Sequence, residues 1–177
     1  GMIAQELMDQ NILGAQIWVT NLVLWEKIKK LFENDNLKIS LSVDYKNIEL
    51  YGALKNIIAL YTGYLEWKGY GYSTIGYYLC EILKEFKIIL PLLWWTNAFD
   101  FSEFSLWGDI IATCFGNSRN RYFGKLVWSG KTSQEAIEIL GKEKKHAEWF
   151  ETLKWIKSII LDSEWMHTLK NIVKIFL

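Results

Sequence analysis

Residues 114–125 (CFGNSRNRYFGK) place two arginines around one asparagine, directly after a serine. Ser118 suits the N-cap of a helix that begins at Arg119, and a helix start carries free backbone N–H groups and partial positive charge. The Arg119 guanidinium adds a planar set of donors, and the Asn120 amide adds two more. These groups together suit a phosphate. A capped surface helix with two solvated arginines is the alternative, and the spacing alone leaves both interpretations open.

Lys55 stands in YGALKN (51–56), a stretch that the apolar periodicity places in the first turn of a helix. The helix dipole disfavours a cation at that position. A lysine held there is a candidate proton acceptor or donor, because a lowered pKa suits general acid–base chemistry. An ordinary solvated lysine is the alternative, and the residue type and position alone favour it.

Asp109 and Thr113 stand four residues apart, so they share one helix face. An aspartate that stabilises a helix start is the simpler interpretation.

Two motif-like segments fail on spacing: residues 124–132 have one residue too many between glycines for a P-loop, and residues 69–76 do not fit GxGxxG. The two histidines stand far apart without a partner at ligand spacing, so the sequence predicts no metal site.

The length and composition predict a single domain with a sizeable, aromatic-rich core, since 51% of the 177 residues are hydrophobic. Lys+Arg and Asp+Glu balance at 20 each, which argues against broad binding to nucleic acid. The longest apolar run is far shorter than the ~20 residues that span a bilayer, and no signal peptide is visible. The two cysteines form no disulfide framework, which favours the cytoplasm. Gly1 is typical of tag cleavage, so Met2 is the expected natural start.

The elements that must position these residues are predicted to be mostly helical. Two short β-rich segments, 15–20 and 37–43, flank an apolar helical stripe at 21–34, which predicts a strand–helix–strand unit. Further apolar stripes predict a series of helices, around 54–65, 75–86, 105–114, 119–129, 133–140, 149–160 and 165–176. Thr132 and Glu135 have the spacing of a capping box for one of them.

In this order, the segments resemble the C-terminal half of the NAD-dependent glycerol-3-phosphate dehydrogenase family. ELYGALKNIIALYTGY (49–64) is similar to the family's Glu-x-x-Gly-Ala-Leu-Lys-Asn helix. GDIIATCFGNSRNRYFG (108–124) is similar to its Gly-Asp-x-x-x-Thr-Cys segment followed by Ser-Arg-Asn-Arg. Residues 130–140 and, more weakly, 147–156 resemble the segments that follow, and the segments before residue 45 resemble the last strands of the family's nucleotide-binding domain.

The resemblance implies a mainly α fold: residues 46–177 form a helical bundle like the 6-phosphogluconate dehydrogenase C-terminal domain, and residues 1–45 are a β-α-β remnant of a nucleotide-binding domain. It implies that Lys55 accepts the proton from the substrate's C2 hydroxyl. The substrate-binding residues that it implies, with the phosphate held by Arg119 and Asn120, are Asn56, Asp109, Thr113, Ser118, Arg119 and Asn120. Glu148 weakly matches a glutamate near the cofactor.

The implied cofactor is NAD(P), and the implied substrate is glycerol 3-phosphate or dihydroxyacetone phosphate. The sequence has no GxGxxG after a first strand, so this chain is not expected to bind NAD(P) alone, and hydride transfer is expected to need a separate nucleotide-binding chain. Departures from the family pattern include Ile75, Glu81 and Leu106. They favour the alternative, a non-catalytic relative that keeps a phosphate pocket or acts through self-association, for instance as a homodimer.

Overall fold

The computed structural model describes residues 4–42, 45–93, 103–142 and 148–177, with the backbone only at residues 4, 5, 47, 142 and 148–151. Two strands and a series of helices fill these ranges: α1 Ala4–Met8, β1 Leu13–Trp18, α2 Leu22–Phe32, β2 Leu37–Ser42, α3 Tyr45–Trp67, α4 Tyr72–Leu92, a π-helical turn Phe104–Gly108, α5 Asp109–Phe115, α6 Arg119–Trp128, α7 Ser133–Lys142, α8 Glu148–Asp162 and α9 His167–Phe176. The predicted mainly α fold is confirmed. None of the helices described here is long and apolar enough to cross a membrane.

The N-terminal unit is the predicted strand–helix–strand. The strands β1 and β2 pair in parallel, from Leu13 opposite Leu37 to Trp18 opposite Ser42, and α2 connects them. The helix α2 has no buried residue, and it exposes large apolar side chains at Leu22, Val23, Leu31 and Phe32. A two-stranded sheet cannot cover such a helix, because the apolar faces of a parallel βαβ unit require neighbouring strands.

The unit is attached to the helical part through the π-helical turn. The Gln16 side-chain oxygen of β1 accepts hydrogen bonds from the Ser105 backbone N–H, at 3.1 Å, and from the Ser105 hydroxyl, at 2.5 Å. The ring of Phe104 lies so close to Gly14 that a Cβ there would be 2.7 Å from a ring carbon. This contact fixes the turn that leads directly into Asp109.

The long helix α3 lies at the centre of the core and contacts α4, α5, α6 and α8. It begins at Tyr45, so the prediction that Lys55 lies in the first turn is wrong: Lys55 is ten residues after Tyr45. The apolar stripe used for the prediction begins at Leu54, so it does not include the earlier turns of α3, although Leu50 and Tyr51 are buried in the same core. Because the dipole acts only over the first turn, it does not bear on Lys55.

The helices α3 and α6 are in backbone contact at two glycines. A Cβ added at Gly63 would lie 2.0 Å from the carbonyl oxygen of Arg121, and one added at Gly124 would lie 2.1 Å from the carbonyl oxygen of Leu60. Only residues without a side chain fit at these positions. This close approach places the first turn of α6 against the middle of α3.

The ends of α3 and α6 follow one capping scheme. At the end of α3, Gly69 has φ +89° and Tyr70 N–H donates to the Leu65 carbonyl; at the end of α6, Gly130 has φ +92° and Lys131 N–H donates to the Leu126 carbonyl. Both are Schellman motifs, which favour glycine for its left-handed backbone. Residues 124–132 are therefore the end of α6 and the turn before α7.

The predicted capping box at the start of α7 is confirmed. The Glu135 carboxylate accepts a hydrogen bond from Thr132 N–H at 2.7 Å, and the Thr132 hydroxyl accepts one from Glu135 N–H at 3.2 Å. The bond from the Thr132 backbone lowers the pKa of Glu135 below its usual value. The start of α7 is thereby fixed beside the end of α6.

The two cysteines lie in opposite environments, and we expect them to react differently. Burial raises the pKa of the Cys114 thiol to about 12, whereas Cys80 is exposed. Since the thiolate is the nucleophile, iodoacetamide at pH 8 is expected to modify one thiol per folded chain, at Cys80, and both in denaturant. Cys80→Ser should leave the folded protein unmodified by mass spectrometry. Equal rates at both thiols would contradict the buried position of Cys114.

Candidate functional site

Lys55 and Asp109 form an ion pair between α3 and the start of α5. Lys55 Nζ donates to Asp109 Oδ2, and the two side chains are 21% and 9% exposed. Asp109 is the first residue of α5 and directly follows the π-helical turn, a feature that is frequent at functional sites. Because the two side chains have little contact with water, removing either charge would leave the other buried without compensation, at a large cost in free energy.

Asn56 and Asn120 connect the same part of α3 to the first turn of α6. Asn120 Nδ2 donates to Asn56 Oδ1 at 2.8 Å, and Asn56 is 8% exposed. Since Asn56 is the residue after Lys55, the ion pair and this hydrogen bond begin at neighbouring positions of α3. Three helices, α3, α5 and α6, thus bring four predicted site residues together.

Ser118 and Arg119 lie where the sequence predicts them, at the N-cap and the first position of α6. The Ser118 side chain makes no capping hydrogen bond, so it does not occupy the N–H groups of the first turn. Arg119 is exposed and forms no ion pair with a carboxylate of the described residues. An anion that approaches this helix start meets both the partial positive charge of the helix and a guanidinium.

Arg121, the second arginine of the motif, has a different partner. Its Nε donates to Glu66 Oε2 at 2.6 Å, and its Nη2 donates to Glu66 Oε1 at 2.5 Å. Its Nη1 also donates to the Gly116 carbonyl oxygen at 3.1 Å. Arg121 therefore ties α6 and the loop before it to α3. The resemblance assigns only Arg119 to the phosphate, and no local pattern in the sequence indicates Glu66 as the partner of Arg121, because the two residues stand 55 positions apart.

The other predicted site residues have less definite surroundings. Thr113 is half-buried on α5, one turn after Asp109. Glu148 begins α8, but its side chain lies outside the part of the chain that the structure describes. Among the residues that depart from the family pattern, Ile75 and Leu106 are buried in the hydrophobic core, and Glu81 pairs with Lys84 at 2.7 Å.

The N-terminal unit does not fit a dinucleotide. In a nucleotide-binding βαβ unit the pyrophosphate lies at the start of the helix after a glycine-rich turn. Here the turn between β1 and α2 contains no glycine, and Asn21 Oδ1 caps α2 by accepting a hydrogen bond from Leu24 N–H at 2.8 Å. Among the described residues, no group of three His, Cys, Asp or Glu side chains is arranged to hold a metal ion.

Comparison with known proteins bears on the family and the fold. Residues 44–176 match the family model described as the C-terminus of NAD-dependent glycerol-3-phosphate dehydrogenase. The chain belongs to this family. Its members include the glycerol-3-phosphate dehydrogenase (NAD(P)+) of Clostridium perfringens, 37% identical over 117 residues, which are 66% of this chain and 35% of that protein. The enzyme of the same name from Alcanivorax borkumensis is 31% identical over 155 residues, which are 87% of this chain and 44% of that protein.

Solved structures of the family share the fold. The glycerol-3-phosphate dehydrogenase of Plasmodium falciparum matches with a TM-score of 0.83 and 20% identity, over 98% of this chain and 50% of that one. That of Coxiella burnetii matches with a TM-score of 0.79 and 19% identity, over 97% and 53%. The predicted family and its helical C-terminal fold are thus confirmed. The chain spans 35% and 44% of the length of these two relatives and about half of these two solved chains.

Proposed function

We propose that this chain carries the substrate-binding half of a glycerol-3-phosphate dehydrogenase, an enzyme that interconverts glycerol 3-phosphate and dihydroxyacetone phosphate with NAD(P). One observation supports this most: Lys55, Asn56, Asp109 and Asn120 come together from three helices, at the helix start that carries Arg119. The ion pair offers a group for proton transfer, and the helix start offers a group for phosphate. A three-carbon phosphate needs both within a few bond lengths.

Lys55 is the residue that exchanges a proton with the C2 oxygen. In the direction of oxidation its amine takes the hydroxyl proton, and in the direction of reduction its ammonium returns that proton to the carbonyl oxygen. Asp109 accepts a hydrogen bond from Lys55 Nζ and so orients it. Asn56 and Asn120 hold each other's amides in place and direct their remaining donors toward the substrate.

Arg119 is the residue that binds the phosphate, together with Asn120 and Ser118. The guanidinium donates to two phosphate oxygens at once, and the first-turn N–H groups of α6 supply further donors. Arg121 keeps this helix start in position through Glu66. Thr113 adds a hydroxyl on the same face of α5 as Asp109.

We propose that NAD(P) is held by a nucleotide-binding half outside these 177 residues, since the β1–α2 turn is not built for a pyrophosphate. The exposed apolar side chains of α2 support a contact with that half.

The exposed apolar side chains of α2 also favour a second candidate function, a non-catalytic relative that self-associates. Sedimentation distinguishes this candidate, because a monomer at tens of micromolar, a usual range for weak interfaces, would contradict it. A cytoplasmic location belongs to the proposal and rests on the two free cysteines.

The test of the proposal is an assay with both halves present. The chain is mixed with the nucleotide-binding half of a family relative, and NADH oxidation is followed with dihydroxyacetone phosphate as substrate. We expect oxidation only when both halves and the substrate are present. A stable complex of the two halves that leaves NADH unchanged would reject the enzyme and favour the non-catalytic relative.

A further inference from the structure

A second cleft opens at the other end of α3, and it shares no residue with the candidate site. Lys55 and Lys68 are separated by thirteen residues, or about 20 Å along the helix at 1.5 Å per residue. The cleft has a volume of about 270 Å³ and lies between the end of α3, the start of α4 and the last turns of α9. Four of its nine lining residues are tyrosines: Tyr61, Tyr64, Tyr70 and Tyr78. We call it the distal cleft.

The distal cleft carries positive charge. Its charged lining residues are Lys68 and Lys174, and neither forms an ion pair with a carboxylate in the described ranges. Lys68 Nζ lies 5.7 Å from the ring centre of Tyr64 and 5.6 Å from that of Tyr70. The ring centre of Trp128, which does not line the cleft, is 5.5 Å away, and the three cation–π contacts hold the ammonium beside the cleft without neutralising it.

A nearby carboxylate does not compensate for this charge. Besides burial, the charge of Glu85 contributes to the raised pKa of Tyr61, and Glu85 is 5% exposed. Its two oxygens accept hydrogen bonds from the backbone N–H groups of Thr168, at 2.8 Å, and Leu169, at 2.7 Å. Glu85 therefore stabilises the start of α9 and faces the partial positive charge of that helix. Since the whole protein has a formal net charge of zero, the two lysines give the distal cleft a local excess of positive charge.

The walls of the distal cleft also supply neutral donors. Burial, followed by the neighbouring Tyr78, raises the pKa of Tyr61, so its hydroxyl keeps its proton at physiological pH. The rings of Tyr61 and Tyr64 stack with centres 6.1 Å apart, and Tyr78 meets Tyr61 edge-on at 5.5 Å. Asn171 adds an amide from α9. Because these aromatic contacts already exist, the wall is formed before a ligand arrives.

We propose that the distal cleft binds a small organic phosphate monoester with a planar or apolar group. The dianion accepts hydrogen bonds from the two ammonium groups, the tyrosine hydroxyls and the Asn171 amide. The attached group lies against the tyrosine rings. The volume lies near the lower limit for small-molecule pockets, which restricts the ligand to a small one.

The test uses phenyl phosphate as the probe and nuclear magnetic resonance of the uniformly nitrogen-labelled chain. We expect a saturable shift of the Asn171 side-chain amide, and weaker binding with inorganic phosphate, which lacks the ring. Lys68→Gln and Lys174→Gln should each weaken this binding about tenfold, as expected for a hydrogen bond to a charged group. Lys131→Gln, at an exposed lysine outside the cleft, is the matched control and should bind normally.

The two sites are read separately in the same spectra. Arg119→Gln should leave the Asn171 shift unchanged, whatever it does to the amides of Asn56 and Asn120 in the candidate site. Both lysines of the cleft are exposed, so their replacement does not put the fold at risk. An Asn171 amide that does not move, or a Lys68→Gln/Lys174→Gln double variant that binds like the wild type, would overturn the proposal.

Discussion

Replacing Gly124 by alanine is expected to lower the free energy of unfolding by about 3 kcal/mol, at the upper end for an overpacked core site. The new methyl group would lie 2.1 Å from the Leu60 carbonyl oxygen and 2.6 Å from the Tyr64 nitrogen. These are backbone atoms of α3, so α6 must move away from it. The displacement would also separate Asn120 from Asn56 and thereby weaken the substrate site.

The measurement is thermal unfolding by circular dichroism. A loss of this size corresponds to a melting temperature lower by roughly 6–12 °C for a chain of this length. Gly52→Ala is the matched control, because Gly52 lies in α3 with no atom within 4 Å of the added Cβ. There the higher helix propensity of alanine should stabilise the protein by up to about 1 kcal/mol. Unchanged melting of Gly124→Ala would contradict the close contact of α3 and α6.

Replacing Lys55 by methionine is expected to lower kcat in the assay with both halves by about 10²–10⁴-fold, the usual contribution of general acid–base catalysis. Methionine keeps much of the length of the lysine side chain and removes the group that transfers the proton. The KM for dihydroxyacetone phosphate should change much less, because Arg119 and Asn120 bind the phosphate.

A second variant separates this catalytic effect from loss of the fold. Lys55→Met leaves Asp109 without its ammonium partner, which should cost about 3 kcal/mol for a largely buried pair. The double variant Lys55→Met/Asp109→Asn removes both charges and should regain most of that stability without regaining the rate. A double variant that recovers kcat as well would show that Lys55 acts only through the stability of the site.

The sequence predicts the helical fold and the strand–helix–strand unit because their apolar periodicities are long and regular. It does not distinguish Gly52 from Gly63, which both stand inside the same helix. Only the packing shows that Gly52 faces open space and that Gly63 touches α6. Sequence predicts elements better than contacts between them, because the partner of a helix face is not encoded in its own pattern.

The same limit applies to the site. The motif places Arg119 and Arg121 two positions apart, but the contact with the Glu66 carboxylate, 55 residues before Arg121, gives Arg121 a structural role. Because α3 begins at Tyr45, the argument from the helix dipole does not apply to Lys55. The contact that places Lys55 in the site is its ion pair with Asp109.

The central claim is that this chain retains a site for a three-carbon phosphate at the start of α6. Calorimetric titration with glycerol 3-phosphate tests it most directly, with wild type, Arg119→Ala and the control Lys131→Ala in parallel. We predict saturable heat for the wild type and the control, and binding about tenfold weaker or more for Arg119→Ala, as expected when a charged hydrogen-bond donor is lost. No binding heat in the wild type, or equal affinity in Arg119→Ala, would contradict the claim.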